Sequence, residues 1–212
     1  MPADRLHLVR HGEVHNPDHI LYGRLEGYHL SELGHQMAAA AAESMTGRPI
    51  TALYASPLLR AQESAQPWAE LFGLPIATEP RIIEPTNKFE GQKSNFGANL
   101  LLKPQFWPWM VNPLRPSWGE PFADIAARVV AAMDDAWQAS DGGEVVFVSH
   151  QSPIWMATRS INGLRLPHHP GKRRCNLSSI TSFEKRNGTW GEVNYQDPAQ
   201  ELLAASTDLG AV

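Results

Sequence analysis

Apolar and polar positions follow two rhythms along the chain, and each change of rhythm marks an element. Leu6-His7-Leu8-Val9 is a strand-like run, about residues 5–9, that breaks without a spacer into Arg10-His11-Gly12. A helix is predicted from about Ser31 to Met45, capped by Ser31 and stopped by Gly47. "TALYAS" (51–56) reads as a second strand, and Ser56-Pro57 as a cap with proline at the first helical position. That helix runs to about Phe72, bent by Pro67 and ended by Gly73, and a short strand near 74–78 follows. Phe122, Ile125, Val129, Met133 and Trp137 recur at helical spacing and predict a core-facing helix. The continuously apolar "EVVFVS" (144–149) predicts a central parallel strand buried on both faces. Ser152-Pro153 opens another capped helix ending near Gly163, and "SSITSFE" and "TWGEVNY" form a hairpin around Arg186-Asn187-Gly188.

Alternating strands and helices closed by a hairpin predict an α/β fold, a three-layer α/β/α sandwich around a mostly parallel sheet. From Pro80 to Pro121 the pattern dissolves into prolines, tryptophans and polar residues, which predicts a cap insertion over about 80–121. Residues from about 200 to 212 read as a loosely held tail, so the whole of 1–212 is expected to form one domain with a small cap.

Composition narrows the partners. With 42% hydrophobic and 19% charged residues, the 212-residue chain can bury a sizeable core. A formal net charge of -4, with basic residues dispersed apart from Lys172-Arg173-Arg174, leaves no nucleic-acid footprint. The single cysteine, Cys175, excludes an intramolecular disulfide framework and reads as an inert, partly buried thiol. No stretch approaches the roughly 18 apolar residues of a membrane span, so a cytoplasmic protein with no membrane partner is expected.

In open α/β sheets ligands bind beyond the carboxyl ends of the strands. Here those positions hold Arg10-His11-Gly12, Ser56-Pro57-Leu58-Leu59-Arg60 and Ser149-His150-Gln151. Two arginines and two histidines thereby reach one rim, with Arg60 in the first turn of a helix whose amides also favour an anion. The pocket this predicts is cationic and phosphate-sized.

Val9-Arg10-His11-Gly12-Glu13 with Asn16, "LSELGHQ", Ser56-Pro57 with Arg60-Ala61, and Val148-Ser149-His150 resemble, in that order, the motifs of the histidine phosphatase superfamily, the phosphoglycerate mutase-like proteins. The resemblance spans about residues 6–183 and implies a core in which a histidine accepts the phosphoryl group. Neutral imidazole is a competent nucleophile near neutral pH, so His11 is the expected acceptor, its other ring nitrogen donating to a backbone carbonyl. Arg10 and Arg60 are expected to grip phosphoryl oxygens, with His150 as a third donor. Asn16 enters by resemblance as a further phosphate ligand. These fixed charges do what a metal does elsewhere, so neither metal nor cofactor is expected.

The family also has a carboxylic acid at the start of its cap, followed about seven residues later by glutamate-glycine. "RIIEPTNKFEG" offers Glu84 as general acid and then base, with Glu90 as the alternative donor and a substrate contact. The spacing is one residue shorter than the family's, and Pro85-Thr86-Asn87-Lys88 replaces a glycine-containing stretch. Gln151, with Ser152-Pro153, stands where the family often has glycines and belongs to the wall around the substrate.

His7, His11, His15 and His19 recur every four residues, but the strand pattern before Arg10 and Pro17 deny the helix that a metal site at this spacing needs. Trp107, Trp109, Trp118 and Met110 read equally as a lid over an apolar substrate moiety or as packing of the cap or a homodimer contact. Lys88, Lys93, Lys103 and Arg115 are candidates for a second anionic group. The expected function is hydrolysis of a small phosphorylated metabolite, a phosphomonoester, through phosphohistidine. The alternatives are mutase-type phosphoryl transfer and a non-catalytic module that binds phosphorylated ligands. The cap is short and tryptophan-rich for a family mutase, and a pure sensor gains nothing from a neutral histidine beside an acid.

Overall fold

The computed structural model describes residues 1–93 and 119–208. The elements, in order, are β1 (Arg5–Arg10), α1 (Glu32–Glu43), β2 (Ile50–Ala55), α2 (Leu59–Phe72), β3 (Ile76–Thr78), α3 (Phe122–Ala139), β4 (Glu144–Ser149), α4 (Gln151–Ile161), β5 (Ile180–Arg186), β6 (Thr189–Gln196) and α5 (Gln200–Leu203). The strands form a six-stranded sheet in the order β3-β2-β4-β1-β5-β6. The first four of that order run parallel, and β5 and β6 add antiparallel neighbours at one side. The fold is the α/β sandwich that the alternation predicts.

Period-two alternation along β4 sorts its side chains between two cores. Val145 and Phe147 pack with Val129 and Met133 of α3, Ile154 of α4 and Leu6 and Leu8 of β1. Val146 and Val148 pack on the other side with Ala41 and Ala42 of α1, and Ala61, Ala65 and Trp68 of α2. All six β4 residues are buried, which is why this segment reads as continuously apolar. The hairpin turn has both central residues at positive φ, Asn187 at 51° and Gly188 at 78°, as the Asn-Gly pair predicts.

Register sets the rim of the sheet. Arg10 pairs with Ser149 and Ala55 with Val148, so three strands end nearly flush. His11 N–H donates to Ser149 O and Ser56 N–H to Val148 O, which extends the pairing one residue past each end. His11, Ser56 and His150 therefore leave the sheet side by side.

The loop after β1 is clamped against α1 by two glycines. A Cβ on Gly34 would sit 2.0 Å from Glu13 O, and one on Gly12 would sit 2.3 Å from Gly34 O. Both contacts are with backbone, so no side chain can move aside. Gly34→Ala is expected to lower stability by roughly 1–3 kcal/mol through overpacking. At this chain size each kcal/mol moves the melting temperature by about 2–4 °C, so thermal unfolding reads the change. An unaltered melt would show that the clamp yields.

Three local expectations are corrected. Ser56 does not cap α2, which starts at Leu59 behind Leu58 with no side-chain cap; the Ser56 hydroxyl is instead 2.7 Å from His150 Nε2. Ser152 does not cap α4, which already begins at Gln151; its hydroxyl accepts from Arg173 Nη1 at 3.2 Å, and Pro153 falls in the first turn, where an amide has no partner to lose. The segment from Gln200 is not a loose tail through the described residues. Leu202 and Leu203 pack against Met37 and Leu177, and Asp208 pairs with Arg10. Cys175 is more deeply buried than expected, and burial pushes its thiol up to about 11, which fits an unreactive group. The tryptophan-rich part of the expected cap, with Lys103 and Arg115, lies outside the described residues.

Candidate active site

The flush strand ends bring together one cavity lined by Arg10, His11, Tyr22, Gly23, Arg60, Glu84, Glu90 and Gln151, among others. Arg10, the last residue of β1, is only 1% exposed and donates from Nη1 to Cys175 O at 2.7 Å. His11 follows it, and its Nδ1 lies 2.7 Å from Gly12 O. A carbonyl only accepts, so that nitrogen carries the hydrogen. Arg60 Nε approaches Nε2 at 3.3 Å, and a guanidinium only donates, so Nε2 carries the lone pair. Both partners select the same tautomer, the one expected of a nucleophilic imidazole.

Arg60 is held by α2, whose first turn it occupies, and by Nη2 donating to Gly23 O at 2.7 Å. Its guanidinium also lies over the Tyr22 ring, 4.8 Å from the centroid. One turn later on the same face, Ser64 Oγ donates to Arg60 O and accepts from Gly12 N–H, tying the helix to the histidine loop. His150 stands edge-on to His11 with ring centroids 5.2 Å apart. The Ser56 hydroxyl lies 2.7 Å from its Nε2, and its Nδ1 is buried without a partner among the described residues.

Electrostatics follow from burial. His11 is held well below the ordinary imidazole pKa, first by burial and then by Arg60 and Arg10. Burial, Arg60 and the His11 ring do the same to His150. Both rings are therefore neutral at neutral pH.

Glu84 reaches the cavity from the segment after a 3₁₀ turn at Pro80–Ile82. Ser149 Oγ donates to Ile82 O at 2.7 Å and Arg24 Nε to Glu84 O at 2.5 Å, so this backbone is fixed to the β4 exit and to the loop after β1. The carboxyl is 3% exposed, and both oxygens are buried without a hydrogen-bond partner among the described residues. Burial raises its pKa, and Arg60, Arg173 and Arg10 pull against this without cancelling it. Glu90 lines the same cavity, but its Oε1 already accepts from the amides of Arg24 and Asn87.

Two expected ligands are placed differently from one another. Gln151 lines the cavity and accepts from Arg173 Nη1 at 3.0 Å. Asn16 closes a turn instead, its amide donating to Ile20 O and its carbonyl accepting from Ile20 N–H, and it is not among the lining residues. Sequence reasoning missed Tyr22, Ser56, Ser64 and Asp208. Ser56 stood at a predicted strand exit but was read as a helix cap, and Ser64 follows Arg60 by four residues on a predicted helix; Tyr22 and Asp208 left no comparable signal. His7, the first of the four evenly spaced histidines, is a strand residue bonded to Ser182 and Glu144.

The family model for the histidine phosphatase superfamily (branch 1) matches residues 6–198. An uncharacterized protein of Mycobacterium tuberculosis, Rv0525, is 47% identical over 200 residues, covering 94% of this chain and 99% of its own. The 2,3-bisphosphoglycerate-dependent phosphoglycerate mutase of Thermoplasma acidophilum is 33% identical over 149 residues, 69% of this chain and 70% of its own. Among solved structures, mycobacterial glucosyl-3-phosphoglycerate phosphatase in complex with inorganic phosphate superposes with a TM-score of 0.73 at 26% identity, covering 93% of this chain and 99% of that one.

Proposed function

The chain belongs to the histidine phosphatase superfamily (branch 1), and from that premise we propose that it is a metal-independent phosphomonoester hydrolase acting through phosphohistidine on His11. The observation that carries this reading is the state of His11: neutral, with its hydrogen held at Nδ1 by Gly12 O and its Nε2 lone pair among buried cations. In the first step Nε2 attacks phosphorus, the bond to the ester oxygen breaks, and Glu84 gives that oxygen its proton. In the second, the Glu84 carboxylate takes a proton from water, which attacks phosphorus and frees inorganic phosphate and His11. Arg10, Arg60 and Nδ1 of His150 face the non-bridging oxygens throughout, a preorganised field in a nearly dry site. Nothing in this scheme needs a metal to neutralise charge.

The substrate is a small phosphorylated metabolite, and the similar glucosyl-3-phosphoglycerate phosphatase makes phosphorylated hydroxy acids the first compounds to try. The 33%-identical mutase supports a second reading, transfer back to substrate instead of to water, through the same phosphohistidine. The test is a panel of phosphorylated metabolites assayed for phosphate release with and without EDTA, followed by an alkaline quench with 32P-labelled substrate. An acid-labile label on His11 is expected. Turnover without that label overturns the mechanism, while label that returns to a second position on substrate, with none in inorganic phosphate, selects the mutase.

A further inference from the structure

We propose that the segment after α5 competes with substrate: the Asp208 carboxylate fills the guanidinium fork of Arg10 that a phosphoryl group needs, and must withdraw for each turnover. The inference rests on the assignment of Arg10 to the phosphoryl group. Asp208 Oδ2 accepts from Arg10 Nη1 at 2.7 Å and Oδ1 from Nη2 at 2.6 Å, the two-pronged geometry by which arginine grips carboxylate or phosphate. The guanidinium is 1% exposed and the carboxylate 35%, so the acid reaches inward from the protein surface onto a wholly buried cation.

The segment is built to deliver it. Leu202 and Leu203 seat α5 against Met37 and Leu177, and Ser206 Oγ donates to Leu203 O. Thr207 N–H then donates to Glu13 Oε1 at 2.6 Å, while Glu13 Oε2 accepts from the α1 cap, Ser31. Glu13, two residues beyond His11, thus latches the segment to the rim of the site without entering the cavity.

Carboxylate and phosphoryl group exclude one another, because two anions on one fork in a poorly solvated site repel strongly. A tethered carboxylate competes at an effective concentration in the millimolar range, so it is a standing opponent. It does not win outright. The phosphoryl group carries more charge and, in the proposed reaction, also meets Arg60 and His150. The device therefore favours substrates whose remaining contacts displace it, and it blunts inhibition by the product, inorganic phosphate.

Asp208→Asn keeps the shape and removes the charge; truncation after Ser206 removes the segment while leaving α5. If the paired state holds about nine molecules in ten, KM for an aryl phosphate and the dissociation constant of inorganic phosphate both fall about tenfold in each variant with kcat unchanged, while the melting temperature falls, because the buried Arg10 loses its partner, and is restored by saturating phosphate. Unchanged constants in both variants overturn the proposal. So does a fall in kcat, which would make Asp208 part of the working site. Calorimetry with inorganic phosphate separates this from the broader reading: tighter phosphate binding in variants of a protein that turns over no phosphomonoester supports competition and rejects the phosphatase.

Discussion

His11→Asn is expected to slow phosphate release at least about 10⁴-fold with every phosphomonoester that the unsubstituted protein hydrolyses, because losing the nucleophile closes the covalent route altogether. Asparagine keeps an amide N–H that can donate to Gly12 O, so the loop has no reason to rearrange and the melt should be unaltered. The size of the effect matters beside its neighbours. Arg10 and Arg60 each supply donors to a charge that develops in the transition state, and removing one such donor typically costs about 10²- to 10³-fold. A variant at His11 that lost no more than the arginine variants would mean that the imidazole is another donor and the route is not covalent. The pH profile adds an independent check. Since burial, Arg60 and Arg10 hold the free imidazole well below its ordinary range, its neutral form persists as pH falls. The acid limb of kcat/KM, corrected for ionisation of the substrate, should lie below the usual histidine range.

Much of this site is legible because it is built at strand ends. The apolar runs of β1 and β4 announce buried parallel strands, and parallel strands in register must deliver Arg10-His11 and His150 to one edge. Arg60 follows from the helix after β2, and Glu84 from a segment that β4 pins through Ser149. What the sequence hides depends on long-range choices among equivalent partners. Ser56 before Pro57 has every mark of a helix cap, yet its hydroxyl meets a histidine just past the end of a strand far away in sequence, and no local pattern ranks those two uses. Asn16 fits the family's motif but uses both amide groups to close its own turn. Asp208 lies in a polar stretch without period, and only closure of the chain over the rim shows that its carboxylate lands on Arg10. Helices and strands are specified by periodicity, whereas a single tertiary ion pair leaves no periodic trace.

Glu84→Gln is expected to slow hydrolysis of alkyl phosphates by about 10²- to 10⁴-fold, the usual range for a positioned general acid, and hydrolysis of p-nitrophenyl phosphate by much less. An alkoxide leaves only with a proton, whereas nitrophenolate is stable without one, so the gap between the two substrates measures proton donation in the first step. With the aryl ester the variant should show a burst of nitrophenol, since breakdown of the phosphoenzyme still lacks its base. The sign of the pH dependence is fixed by burial, which raises the Glu84 pKa and extends the protonated form toward neutrality. Alkyl turnover should therefore fall as pH rises through that raised value, and the fall should vanish in the variant. Stability carries the same sign. A carboxyl raised in the folded state contributes stability that is fully present below its unfolded pKa and is lost as pH rises through the folded one. At pH 8 the glutamine variant should therefore melt no lower than the unsubstituted protein, which separates a chemical defect from a folding one. Glu90 is the obvious substitute donor, but its Oε1 is already engaged by two backbone amides while both Glu84 oxygens stand unpartnered beside the cations. An equal loss on both esters, with the basic limb intact, would move the proton to Glu90 and leave Glu84 as a charge that merely lines the wall.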